Sequence, residues 1–130
     1  MKLAKLVLWA GAGFFLIYGL IFSIFPSSFS DLVTGSSPNS VSGIVDFRAT
    51  YGGMTLAVGL ALALAARHPS GVKLGLWGFV ILMLGMACAR SIGIVVDGMP
   101  NTLMFVYLVG ELLSAGLAWF ALTRLDDRAS

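Results

Sequence analysis

Four long apolar stretches divide this chain, and each is about as long as a bilayer is thick. Residues 6–25 run for 20 positions without a charge. The others cover 44–66, 74–96 and 102–123, interrupted by a few isolated charges. A helix needs roughly 20 apolar residues to cross the hydrocarbon core. Backbone groups in lipid must be satisfied within the segment, so helices are expected. The period-two alternation of a membrane barrel is missing. The sequence therefore predicts an all-α fold, a single four-helix transmembrane bundle over residues 1–130. Composition agrees, with 58% hydrophobic and 11% charged residues, against about 25% charged in soluble domains.

Lys2 and Lys5 before the first run would suit a signal peptide. Such peptides, however, carry a shorter apolar core followed by a small-residue cleavage site. Here Pro26 ends the run instead, so 6–25 reads as an uncleaved first span. The connections are distinct in character. Residues 67–73 form a short basic turn and 97–101 a tight acidic one. The segment 26–43 is longer and Ser-rich, with Asp31 as its one charge. Its first part suits a short interfacial helix with Phe29, Leu32 and Val33 on the apolar side.

Orientation follows from the basic residues in short loops. Lys2, Lys5, Arg67, Lys73, Arg124 and Arg128 are six of the eight Lys and Arg residues, and all fall on one side. That side is expected to be cytoplasmic, which gives N-in/C-in topology. Trp9, Trp77 and Trp119 read as anchors at the membrane interface. Small residues recur every fourth position, at Gly53, Ala57, Ala61 and Ala65, at Gly85, Ala89 and Gly93, and at Gly110, Ser114 and Ala118. These stripes are expected to be the packing faces, since small residues let helix backbones approach in lipid. No internal repeat supports an inverted-repeat transporter.

Charges inside a span are costly and mark functional or pairing positions. Arg90 stands seven residues before Asp97 and Glu111 nine after Thr102. These spacings put them about 10 Å and about 14 Å below the outer surface. Arg48 and Asp46 lie near the outer end of the second span. All the charges within spans fall in the outer half. Met104, Tyr107, Glu111 and Ser114 share one helix face, and Tyr51 lies on the side of Arg48. In the second span, Asp46, Thr50 and Gly53 face nearly opposite to Arg48, Tyr51 and Thr55.

A guanidinium cannot shed its charge, so it needs an acceptor. Arg90 with Glu111 is the expected deep pair, and Arg48 with Asp97 or Asp46 the expected shallow one. An ion-pair latch that fixes helix register would explain one pair. Two arginines, three carboxylates and nearby Tyr51, Tyr107 and Ser91 go beyond a latch. The candidate ligand-binding residues are Asp46, Arg48, Tyr51, Arg90, Asp97, Tyr107 and Glu111. Glu111, the deepest carboxylate, is the candidate for proton chemistry. Arg48 is the candidate for contacting an anionic group.

The remaining reactive side chains offer little. Cys88 is alone, so no intrachain disulfide can form. His68 sits in the basic turn, far in depth from the other polar residues. One His and one Cys at different levels give no metal-ligand spacing, and no cofactor motif is present. The net charge of +2, without a basic stripe, excludes nucleic acid as an expected partner.

The run Asp46-Phe47-Arg48-Ala49-Thr50-Tyr51-Gly52-Gly53 is followed by Arg90, by Asp97-Gly98-Met99-Pro100 and by Glu111. This D-x-R-A-x-Y-G-G pattern resembles a widespread bacterial family of small four-span membrane proteins, a domain of unknown function. The resemblance covers nearly the whole chain. It implies a fold, a site and a bacterial cytoplasmic membrane, and no activity. In size and hydropathy the chain is also similar to DoxX-like membrane proteins.

Three functions fit these features. The first is binding of a small amphipathic or lipid-like ligand between the helices, with membrane lipid as the surrounding partner. The second is a membrane-embedded enzyme of isomerase or hydratase type, with Glu111 as general acid or base. The third is a proton-coupled carrier, which in so short a chain would require a homo-oligomer.

Overall fold

The computed structural model describes residues 1–126, all of them helix or short connection, with no strand among the described residues. Helix α1 spans Lys2–Ile24 and α2 Pro26–Thr34. Helix α3, Val41–Phe47, continues through a π-helical segment, Arg48–Met54, into α4, Thr55–Arg67. A single 3-10 turn, Pro69–Gly71, leads to α5, Val72–Asp97, and then comes α6, Thr102–Asp126. Four helical rods are long and apolar enough to cross a membrane: Lys2–Ile24, Val41–Arg67, Pro69–Asp97 and Thr102–Leu125.

The rods extend past the apolar runs at several ends. Lys2, Lys5 and Lys73 are helical, because a long side chain can lift its charge to the interface while its backbone stays hydrogen-bonded. The outward faces carry Ile17, Ile81, Leu113 and many other exposed aliphatic residues. Water would penalise so large an apolar surface, whereas lipid does not.

The rods alternate in direction, so the chain has two ends. The N-terminal end gathers Lys2, Lys5, Arg67, Lys73 and Arg124; Arg128 lies outside the described residues. Trp77 and Trp119 meet edge to face there at 5.3 Å, and Arg67 lies 5.9 Å from the ring of Trp9. The three tryptophans thus lie at the end that carries the basic residues. The opposite end carries α2, α3 and the α5–α6 turn, and is called the α2 end below.

The main apolar core occupies the half nearer the N-terminal end. Leu8, Ala12 and Phe15 of α1 meet Leu62 and Ala66 of α4, Val72, Leu76 and Phe79 of α5, and Ala118 and Leu122 of α6. The closest pairs are α1 with α4 and α5 with α6. Between α1 and α4 the backbones nearly touch. A methyl group added at Gly19 would lie 2.7 Å from the Leu56 nitrogen, and one at Gly59 would lie 3.1 Å from the Ala12 oxygen. Neither position has room for a side chain.

This packing corrects the expected small-residue faces. Gly53, Ala57 and Ala61 are exposed, as are Gly85, Ala89 and Gly110. A methyl at Gly85 or Gly110 would meet nothing within 4 Å. Only Ala118 of the fourth-span stripe is fully buried. The contacts are made instead by Gly52, Gly59, Leu62 and Ala66. The reason is steric: close approach needs small residues on both partners at one level. Gly19 and Ala12 supply that for Gly52 and Gly59, while a small residue facing lipid incurs no penalty.

The α2 end is built around local hydrogen bonds. Pro26 opens α2, where its missing N–H is harmless. Gly35, at φ 76°, ends it, with its N–H donating to the Asp31 carbonyl at 2.8 Å. That left-handed backbone is one that glycine adopts easily. Buried Ser30 donates to the Ser36 carbonyl at 2.7 Å, which folds the following loop back over the helix. The expected interfacial helix is present, with Val33 buried and Phe29 half-buried, but Leu32 points outward at 73% exposure. Asn101 accepts from the Met104 N–H at 3.2 Å as the cap of α6. It also donates to the Val33 carbonyl at 3.0 Å. One side chain therefore ties α2 to the α5–α6 turn.

Candidate functional site

Two helices bring the deep charges together. Arg90 sits in the last third of α5 and reaches across to α6. Its Nη2 donates to Glu111 Oε1 at 2.6 Å, and its Nε lies 3.1 Å from Oε2. Its Nη1 meets the sulfur of Met104 at 3.0 Å. The guanidinium carbon stands 5.4 Å from the centre of the Tyr107 ring. Met104, Tyr107 and Glu111 are three and four residues apart, so they fall on one face of α6. That face is aimed at Arg90. Glu111 is 5% exposed and the Arg90 side chain 19%. Such a pair costs desolvation that its attraction only partly offsets, so its placement is specific.

From Tyr107 the polar contacts pass into an aromatic chain. The Tyr107 ring meets that of Tyr18 of α1 edge to face, their centres 6.3 Å apart. Tyr18 packs on Phe22 at 5.2 Å and on Phe29 of α2 at 5.3 Å. Phe22 meets Tyr51 at 5.3 Å, and Tyr51 meets Phe47 at 4.9 Å. Tyr18 and Phe22 are one turn apart on α1, which is why they form a single wall. Tyr51 enters from the π-helical segment, whose Gly52 packs directly on the backbone of Ser23. Pi-helical turns occur mostly as single bulges and often at functional sites. Here one holds Arg48-Ala49-Thr50-Tyr51-Gly52-Gly53, the core of the sequence motif.

Two cavities flank this chain at the α2 end. One, of about 230 Å³, is lined by Tyr18, Phe22, Phe47 and Tyr51 together with Ser30 and the 33–38 loop. The other, of about 320 Å³, is lined by Arg90, Asp97, Met99 and Met104 with Gly93, Ile94 and the turn beyond. Arg90 is thus a wall residue of the second cavity as well as the partner of Glu111. Glu111 itself lines neither.

A family described as domain of unknown function DUF4345 matches residues 3–122. The chain belongs to that family. The matched stretch holds every residue of the D-x-R-A-x-Y-G-G motif, both members of the deep pair and both cavities. No curated protein and no solved structure matches the chain. Membership in DUF4345 therefore brings a four-span fold and no activity.

Of the candidate residues, Arg90, Glu111 and Tyr107 are brought into direct contact, and Tyr51 joins them through the rings of Phe22 and Tyr18. Asp97 lines the larger cavity, but it is exposed and makes no ion pair among the described residues. The shallow ion pair expected for Arg48 is not formed. Arg48 donates to the carbonyl of Ser23 instead. That carbonyl lies in the last turn of α1, where carbonyls lack helical partners and a cation is favourable. Arg48 therefore caps α1. Asp46 is exposed and unpaired among the described residues. Ser91 donates to the Ala87 carbonyl of its own helix at 2.7 Å and stays outside the site.

Sequence reasoning missed Tyr18, Phe22 and Asn101. Tyr18 lies inside an uncharged run and looked like another apolar residue. Its depth, six residues from the end of α1 and so close to that of Arg90, is the signal that could have found it.

Proposed function

We propose that this chain is a multi-pass protein of the bacterial cytoplasmic membrane that binds a small amphipathic, lipid-like molecule at its α2 end. Both termini are inside, because the basic residues gather at the N-terminal end. The α2 end then faces outward. The observation that carries the binding reading is the cavity of about 320 Å³ with Arg90 in its wall and Ile94, Met99 and Met104 around it. That volume is near the lower end of small-ligand sites, roughly 300–1,000 Å³. Apolar walls with one fixed cation and the Asp97 carboxylate at the side are an arrangement that can orient a molecule with a polar head and an apolar tail. Glu111, engaged through both oxygens and away from either cavity, acts as the partner that holds Arg90 in place.

Native mass spectrometry of the protein released from gently extracted membranes tests the reading. A bound small molecule is expected in the unaltered protein, and Gly93→Leu, which fills the cavity, is expected to lose it. Identical spectra for the two would defeat the proposal. Orientation is tested separately in a Cys88→Ser background. Ser36→Cys should label with an impermeant maleimide on intact cells and Ser70→Cys should not; the reverse pattern would invert the topology.

A further inference from the structure

We infer that the cavity beside Arg90 takes an uncharged molecule with a hydrogen-bond acceptor on an apolar chain, such as a fatty ester or ketone, and not an anion. This inference rests on the ligand-binding reading above and narrows it.

The charge balance argues first. Arg90 is permanently cationic, but Glu111 already meets that charge through contacts at 2.6 and 3.1 Å. An arriving anion would find a neutral pair and would compete with a carboxylate held in place by the helix. Asp97 lines the same cavity, and no cation among the described residues pairs with it. Its carboxylate repels an anion. Arg48, the other arginine near this end, is occupied with the Ser23 carbonyl.

The donor geometry argues second. Arg90 Nη1 donates to the thioether of Met104 at 3.0 Å. Sulfur of this kind is a weak acceptor, so a carbonyl oxygen improves on it. Met104 also lines the cavity, and its side chain is unbranched and adaptable. A carbonyl that takes the Nη1–H lets the sulfur move against the apolar part of the guest. Nη1 and Nη2 each carry a further N–H without a protein acceptor among the described residues. The site thus offers donors in a neutral setting, which suits an ester or ketone oxygen.

The test uses the full chain in lipid nanodiscs with methyl octanoate, labelled with carbon-13 at the carbonyl, as the probe. Octanoate and nonane serve as the anionic and apolar comparisons. The bound ester's carbonyl band is expected to move to lower infrared frequency than in protein-free nanodiscs. The ester is expected to bind about tenfold tighter than nonane, as one hydrogen bond to a charged donor would give. Octanoate should not displace it. Met104→Leu keeps the volume but removes the competing sulfur, and should strengthen ester binding. Asp97→Asn should let octanoate compete. Displacement of the ester by octanoate in the unaltered protein would overturn the inference and leave ligand binding standing. Equal binding of ester and nonane without a band shift would overturn it too, since Arg90 would then take no part. Failure of all three probes to bind would defeat both this inference and the reading beneath it.

Discussion

The two ends of the bundle are held in different ways. At the N-terminal end Leu8, Ala66, Leu76 and Ala118, one from each rod, are almost fully buried and pack in one core. Around them Trp9, Trp77, Trp119 and the basic residues form a rim. At the α2 end the buried side chains include Phe22, Pro26, Ser30, Val33 and Glu111; one cavity is lined by Phe22, Ser30 and Val33, and the other lies beside Arg90. Rings, an ion pair and single hydrogen bonds replace close aliphatic packing there. Lipid tails are as apolar as leucine, so steric fit is what holds helices together in a membrane. One end has that fit, which leaves the other free to trade it for polar side chains and space.

The strongest way to break this contrast is through the deep pair. Glu111→Gln and Arg90→Gln should each cost about 3–5 kcal/mol, because each leaves an uncompensated buried charge or donor. Melting temperatures in a mild detergent would report it, and the double variant should lose less than the sum. Strict additivity would mean that the two residues are independent.

A smaller effect is expected at the packed end. Leu76→Ala should cost about 2–3 kcal/mol through the cavity it leaves, and it should not change the small-molecule adduct seen in native mass spectra. Loss of the adduct would show that the two ends act as one unit. Smaller again is Asn101→Ala, which removes the α6 cap and the tie to Val33. The cost should be about 1 kcal/mol, with faster hydrogen exchange confined to 26–34. A global rise in exchange would show that α2 is part of the main core.

The sequence made the four spans legible because lipid imposes a length and forbids unpaired backbone. Arg90 and Glu111 were legible as partners because two isolated opposite charges at similar depth have few alternatives. Three features were hidden for physical reasons. Arg48 went to a backbone carbonyl, and every residue has a carbonyl, so no residue type marks the acceptor. Most positions of the small-residue stripes lie on open faces, Ala65 and Ala118 excepted, because a face is chosen by what the partner helix offers at that level. The π-helical segment lies in a run whose hydropathy is the same for any helical pitch, and its wide turn sets where Tyr51 goes. Tyr18 needed the packing of α1 against α6 before it could be joined to Tyr107.

The deep pair also bears on how the chain enters the membrane. An arginine in a lone span costs up to about 2.5–3.5 kcal/mol to insert, and α5 carries Arg90 ahead of α6 in the chain. Only residues 98–101 separate the two helices, with Gly98 at φ 104° making a bend that other residues resist. The acid that neutralises Arg90 therefore follows within one short turn and one helix. The short turn thus favours entry of α5 and α6 into lipid as a hairpin in which Arg90 and Glu111 offset one another. Helix α1 carries no charge within its apolar run and needs no such partner. It can span the membrane alone and present Gly19 and Ala12 as the surface on which α4 settles.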